Sequence, residues 1–323
     1  MRHARTSSSP LRPSRPLAIG AAVVALGLLA SALAAAPLPA RACSVCGCGD
    51  PLVPVGEVAG QRGQLGFSAD WQYLTQKAGS EEPGMTDLLT QNTLALTVSY
   101  APLDRLNLVV TLPLAWKRMQ MEMDGVTSTV SNLSGLGDMQ VGLRWFFLDD
   151  TRMASRTRQT LSLDAGTTIP TGSSSASVDG VRVDEHGQLG TGGWGPYLGL
   201  FYRLQGDVWS GYAGAWGVYR TVNSYDYRFG PALRWTATAQ YQPADWFAAG
   251  LGVDGRWADA DVDAGATVPD TGGLVLTAAP AVYVRAFPGG WLYAKAQIPF
   301  ATQLYGIQTI GPVVTAGLRY ELP

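Results

Sequence analysis

Three thiols crowd into six residues, Cys43-Ser-Val-Cys46-Gly-Cys48, and the 323-residue chain has no other cysteine. Thiolates at this spacing suit a soft cation such as Cu(I) or Zn, or a redox or docking handle. Two of the three can equally close a local disulfide, leaving one over. A closed tetrahedral zinc site needs four ligands, one more than is present. Gly47 follows Cys46 where a haem attachment motif needs His. Met119, Met121 and Met123 form a second sulfur group. On a strand their thioethers share one face, which suits Cu(I) or plain adaptable packing. A third group is Asp259-Ala-Asp261-Val-Asp263, with Asp270 twelfth from Asp259. Its one-three-five spacing is that of a calcium loop, but Ala264 stands where the sharp turn needs Gly, and Asp270 where the loop has Glu.

Catalytic chemistry is harder to assemble. Beyond His3 the chain has one histidine, His186, so a His dyad or facial triad cannot form after export processing. There is no Gly-x-Ser-x-Gly elbow, phosphate loop or His-Glu-x-x-His motif. The expectation is a protein that is not an enzyme.

The compartment follows from the N-terminus. Arg2, Arg5, Arg12 and Arg15 precede an apolar run from Leu17 to Ala36, and Ala40-Arg-Ala42 supplies small residues for cleavage before Cys43. Residues 1–42 are therefore expected to be a cleaved signal peptide. A lipid on Cys43 is the weaker alternative, because Ala40 and Arg41 fit a lipoprotein site poorly. Removing 1–42 takes five arginines and no acid, so 23 basic residues become 18 against 25 acidic, a formal charge of −7. That excludes a nucleic-acid binder. No later stretch is apolar for the roughly 18 residues that a spanning helix needs.

The elements that must position these groups are strands. In Asp138-Met-Gln-Val-Gly-Leu-Arg-Trp-Phe-Phe147 one parity reads Met139, Val141, Leu143, Trp145, Phe147 and the other Asp138, Gln140, Gly142, Arg144, Phe146. Alternate side chains point to opposite faces, so one face is greasy and the other mostly polar. The pattern recurs to the end of the chain and predicts an all-β fold, a 12-stranded antiparallel up-and-down transmembrane barrel over 64–323. The strands are expected at 64–75, 89–101, 105–118, 135–147, 159–169, 192–204, 208–222, 227–241, 246–257, 274–287, 291–303 and 311–322. Long loops at 76–87, 119–134 and 170–189 alternate with short turns, apart from an awkward eleven-residue connection at 148–158 and a short loop at 223–225. Short turns are periplasmic and long loops external in such barrels, which puts the outer membrane around this one. Residues 43–63, rich in Gly and Pro, form an irregular lead segment that can plug the lumen from the periplasmic side.

Parity also sorts the charges. Facing inward are Asp70, Lys117, Asp138, Arg144, Asp164, Arg203, Arg234, Asp254, Arg256, Arg285, Lys295, Arg319 and Glu321. Outward are Leu106, Leu108, Val110, Leu112 and Trp116 on the third strand, Phe247, Leu251, Val253 and Trp257 on the ninth, and Val314, Leu318 and Tyr320 on the last. A lipid-facing Arg or Lys costs roughly 2–4 kcal/mol at the midplane, which enforces this sorting. The seventh strand is apolar on both parities and its direction cannot be read. Eight basic against five acidic lumen groups predict a weak preference for anions.

Gly135-Leu-Gly-Asp-Met-Gln-Val-Gly-Leu-Arg144, Leu189-Gly-Thr-Gly-Gly-Trp194 and Gln297-Ile-Pro-Phe-Ala-Thr-Gln-Leu-Tyr305-Gly306 with Gly317-Leu-Arg-Tyr320 resemble, in order, motifs of the meta-pathway phenol degradation family of outer-membrane transporters. The resemblance covers about residues 64–322. It implies a barrel and the passage of small, hydrophobic or aromatic compounds.

The leading expectation is thus a porin-like channel that passes small solutes by diffusion. One rival is a barrel that presents Cys43, Cys46 and Cys48 to Cu, Zn or a periplasmic redox partner; another is a structural barrel without flux. Expected partners are outer-membrane lipid, lipopolysaccharide (bridged by divalent ions such as Ca2+ at the acidic loop of Asp259, Asp261, Asp263 and Asp270), a small-molecule solute and a periplasmic partner of residues 43–63.

Overall fold

Runs of alternating residues become strands here because one parity can face lipid while the other faces a shared interior. The computed structural model describes residues 61–79, 85–123 and 126–322, with the side chains of 78–86 and 121–129 outside that set. The expected signal peptide, all but the last three residues of the lead segment, and the three cysteines lie outside the described residues.

Twelve strands form the wall. They are β1 (Leu65–Gly79), β2 (Met85–Leu103), β3 (Leu106–Met123), β4 (Val126–Leu136, continued as Met139–Arg152), β5 (Thr157–Ile169) and β6 (Gly195–Gln205). Then come β7 (Trp209–Val218), β8 (Ala232–Ala244), β9 (Phe247–Ala258), β10 (Gly273–Phe287), β11 (Gly290–Leu304) and β12 (Gln308–Ile310, continued as Val313–Leu322). Each pairs antiparallel with its sequence neighbours, and β1 closes the ring: Leu65 lies opposite Tyr100 of β2 on one side and Leu322 of β12 on the other. Closure leaves no open strand edge, which is the condition for a sheet in lipid.

Two strands are interrupted, and proline accounts for both. β3 pairs the first part of β4 up to Leu114–Leu136 and the second part from Thr111–Gln140, with Pro113 between. Pro113 has no N–H to give the ladder, and Gly137 N donates to its carbonyl at 2.8 Å. Pro312, without an N–H, lies in the gap of β12 itself, beside Gly311, whose N donates to Thr75 O at 2.9 Å.

The outer surface carries the apolar parity. Leu108, Val110, Val141, Leu143 and Leu251 are exposed, Leu251 at 65%. Trp145, Trp209, Tyr241 and Trp246 lie at the short-turn end, and Trp116, Trp194, Tyr219 and Trp257 toward the other. Two aromatic girdles are what membrane–water interfaces select.

Four boundaries correct the sequence reading. The expected loop before Ser134 is strand: Met123 pairs with Val126, leaving only Asp124-Gly125 between them. An Asp-Gly dipeptide between alternating runs is a strong hairpin signal, and it outweighed the polar composition. The connection at 148–158 shrinks to Met153–Arg156, because Arg152 pairs with Thr157 and Arg158 grips Asp149 through two bonds of 2.8 Å. The loop before β2 is also shorter than 76–87, since β1 runs to Gly79 and β2 starts at Met85. Finally, β7 stops at Val218 and β8 begins at Ala232, so 219–231 is a long loop where a short one was expected.

Candidate functional site: the lumen and its loop cap

The interior divides into a filled side and an open side. On β4 and β5, Arg144 and Asp164 lie directly opposite. Arg144 Nε and Nη2 donate to the two carboxylate oxygens of Asp164 at 2.7 and 2.6 Å, with both side chains almost fully buried. The guanidinium carbon sits 5.3 Å from the Phe201 ring centre. Gly142 and Gly166 leave the space that the Tyr197 hydroxyl occupies, and a Cβ at either would collide with it. Phe146, 2% exposed, packs into the same side.

On the other side a cavity of about 700 Å³ remains, lined by β1, β2 and β6 to β12. It runs from the short-turn end, where Asp207 and Gly289 line it, to Leu74, Val275 and Ile310 near the long-loop end. Nine of the thirteen inward charges line it: Asp70, Arg203, Arg234, Asp254, Arg256, Arg285, Lys295, Arg319 and Glu321. Asp254 accepts from Lys295 Nζ (2.6 Å), Thr236 Oγ1 (2.6 Å) and Gln297 Nε2 (2.7 Å). Asp70 accepts from the Tyr293 hydroxyl and from Ser68. Arg319 pairs with Glu321 at 2.9 Å. The rest of the wall mixes Thr, Ser and Gln side chains with aromatic rings, among them Tyr212, Trp216, Tyr283, Trp291 and Tyr293. Strand β7, unreadable from its sequence, turns Tyr212 and Trp216 inward and leaves Trp209 exposed.

The other inward charges hold a loop. Lys117 Nζ on β3 donates to the carbonyls of His186 (3.0 Å) and Gln188 (2.6 Å) in the loop 170–194. Asp138, at the break in β4, accepts from Gly172 N (3.0 Å), Thr191 N (2.7 Å) and Thr191 Oγ1 (2.7 Å). Two of the sequence motifs therefore meet: the Asp of Gly135-Leu-Gly-Asp138 is the acceptor for the Thr of Leu189-Gly-Thr191. A Cβ on Gly172 would lie 2.7 Å from the Cα of Gly190, so the approach needs glycine. Gln188 fastens the loop on itself, donating to Val183 O (2.6 Å) and Ala176 O (3.0 Å).

Two further loops join it. Asn223 Nδ2 donates to Thr191 O at 3.1 Å. Asp261 is 1% exposed and binds the Tyr227 hydroxyl (2.6 Å), Gly230 N (2.7 Å) and His186 Nε2 (3.2 Å). Phe229 packs edge-on to His186, and Arg220 lies buried beneath it. Loops 170–194, 219–231 and 259–272 thus interlock over the long-loop end of the lumen. Burial acts to raise the Asp261 carboxyl, but His186, Tyr227 and Gly230 outweigh it and hold the group below its ordinary value. Burial, and then the charge of Asp261, push the Tyr227 phenol well up.

The other candidate groups fare differently. Asp259, Asp261, Asp263 and Asp270 are not brought together, and among the described residues no group of three His, Cys, Asp or Glu is placed to hold a metal ion. Asp261 turns inward to the cap, while Asp259 accepts from the next backbone N–H. Met119 faces the loop, where a Cβ at Gly187 would meet its Sδ at 3.1 Å. The Met121 and Met123 side chains, with Cys43, Cys46 and Cys48, lie outside the described residues. Sequence reasoning missed the cap residues Arg220, Tyr227 and Phe229, because they sit in loops where parity has no meaning.

No family model and no curated protein matches the chain. Among solved structures it is similar to an outer membrane channel from Pseudomonas putida F1, at 16% identity and a TM-score of 0.66, over 84% of this chain and 100% of that one. The chain has the fold of an outer-membrane β-barrel. More remote are the NanC porin (12% identity, TM-score 0.42, 79% of this chain and 100% of that one) and the CymD monoaromatic hydrocarbon channel (8%, 0.37, 81% and 89%). The barrel spans the membrane with strands; among the described residues no helix is long and apolar enough to do so.

Proposed function

We propose that this barrel is a channel for passive passage of small solutes, related to the meta-pathway phenol degradation transporters. The observation that carries the reading is the cavity of about 700 Å³ inside a closed wall, with polar and charged groups along it. A structural barrel of this size has no need of an unfilled side. Space of this volume is typical of small-molecule sites, which run about 300–1,000 Å³. The wall combines aromatic rings with fixed charges, which supports solutes that carry a flat apolar part.

The loop cap gives the channel a closed position at its long-loop end. Passage then requires the contacts of Lys117, Asp138 and Asp261 to loosen, while the cavity stays preformed below. No covalent chemistry is involved. Planar-bilayer recording of the purified protein tests the proposal: discrete conductance steps are expected, and a folded protein that never conducts would instead be a structural barrel.

A further inference from the structure

The three loops of the cap meet at a titratable group. His186 comes from the loop 170–194, Tyr227 and Phe229 from 219–231, and Asp261 from 259–272. His186 Nε2 lies 3.2 Å from Asp261 Oδ2 and 3.3 Å from the Tyr227 hydroxyl. Tyr227 gives its one proton to the same Asp261 oxygen at 2.6 Å. Nε2 therefore faces two oxygens that can accept, and an N–H there fits the site. Both Asp261 oxygens are in use, Oδ1 by Gly230 N and Oδ2 by this pair, so the carboxylate serves the cap. The His186 side chain is 15% exposed and that of Asp261 2%, so salt screens the contact little.

The other charges packed around His186 are mixed in sign. In its own loop, Asp184 Oδ1 accepts from the His186 backbone N–H at 2.9 Å, and Glu185 pairs with Arg182 at 2.5 Å. From the wall, Lys117 of β3 reaches the His186 carbonyl, and Asp87 of β2 is within electrostatic reach of Asp184. In the loop 219–231, Arg220 lies against the Phe229 ring, 6.0 Å from its centre. Against this mixed background the contact at 3.2 Å decides, and an opposite charge so close favours the imidazolium.

We propose that His186 is a proton-operated latch: as imidazolium it pairs with Asp261 and holds the cap closed in mild acid, and loss of its proton loosens the seam. For conductance this rests on the channel reading; the latch itself does not. A histidine in water protonates near pH 6.5. Closing the cap sets His186 beside a carboxylate, which favours its charged form. Its contribution to closure is therefore whole below about pH 6.5 and fades as pH rises past that value. A neutral ring keeps an N–H for one acceptor, so the seam weakens without the loops unfolding.

Apart from His3 the chain has no other histidine, so the ring of His186 reports alone in an NMR titration of the exported, untagged protein in micelles. It should titrate above about 6.5, and Asp261→Asn should lower the midpoint by about one pH unit. Hydrogen exchange, corrected for intrinsic rates, reads the cap itself. Protection of 219–231 and 259–272 should fall roughly tenfold between about pH 5.5 and 8.5, as one unit of histidine stabilisation predicts. The variant His186→Gln keeps a side-chain N–H but gains no charge, so its profile should be flat. In planar bilayers open probability should rise over the same interval for the native chain alone. If the native chain and His186→Gln share one pH profile, the latch is overturned and the channel stands. If exchange follows the ring in the native chain alone but no current flows at any pH, the latch stands and the channel reading fails. A ring that titrates at or below about 6.5, or a cap that loosens first in mild acid, overturns the proposal.

Discussion

Replacing Asp138 by alanine should open the cap without unfolding the barrel. The carboxylate takes three hydrogen bonds from the loop 170–194, two of them from backbone N–H groups. A hydrogen bond to a charged group is worth about 1.5–3 kcal/mol net, and three on one carboxylate are not additive. Together they contribute roughly 3 kcal/mol to the closed cap. A change of that size takes a 99:1 equilibrium to about even. The Asp138→Ala protein should therefore spend about half its time in a higher-conductance state in bilayer recordings, and the loop should become sensitive to protease near the exposed Val181. Asp138→Asn keeps an acceptor oxygen and should fall between. The barrel is held by strand pairing elsewhere, so its heat-modifiable mobility on gels should persist. A folded Asp138→Ala protein with unchanged conductance and an unchanged loop would show that the cap is not held at this point, and the reasoning would fail.

Other consequences are smaller in scope. Asp164→Ala leaves Arg144 buried without its partner and should cost about 3–5 kcal/mol, whereas Arg144→Met with Asp164→Leu should be near neutral; denaturant midpoints in micelles decide. Because the folded Asp261 carboxyl is depressed, its contribution is present above the ordinary carboxylate value near 4 and is lost as pH falls through the depressed one. Hydrogen exchange in 219–231 and 259–272 should thus stay slow at pH 5 and quicken only in stronger acid; quickening already between pH 7 and 5 contradicts this. With Cys43, Cys46 and Cys48 replaced by serine, an impermeant label on intact cells should reach Val181→Cys but not Asp207→Cys, and the reverse would invert the barrel. Cu(I) or Zn should bind the unsubstituted chain more tightly than that serine variant, and equal titrations would leave the thiols without a metal role.

The wall of this protein is legible in its sequence because lipid enforces one parity. Strand β4 shows why: Val141, Leu143 and Trp145 face lipid while Gln140, Arg144 and Phe146 are buried, as the alternation says. The strand ends were less legible. At 119–134 the polar composition suggested a loop, while β-branched Val126, Thr127 and Val130 and the Asp124-Gly125 dipeptide carried the opposite, correct signal. Strand β7 could not be oriented because both its faces are apolar, and the inward aromatics Tyr212 and Trp216 were hidden by that symmetry. The cap was not legible at all. Its residues come from three loops distant in sequence, and nothing local links His186 to Tyr227 and Asp261, so the acidic spacing there pointed to a cation instead.

The central claim is that solute moves through the cavity inside this wall. A cysteine at Thr315, which lines the cavity, and one at Leu251, which faces lipid, test it in the serine background. During single-channel recording, a water-soluble thiol reagent should lower the conductance of the Thr315→Cys protein stepwise and leave the Leu251→Cys protein unchanged. Current that ignores a bulky adduct at Thr315 would mean that the route lies elsewhere, and the account would be wrong.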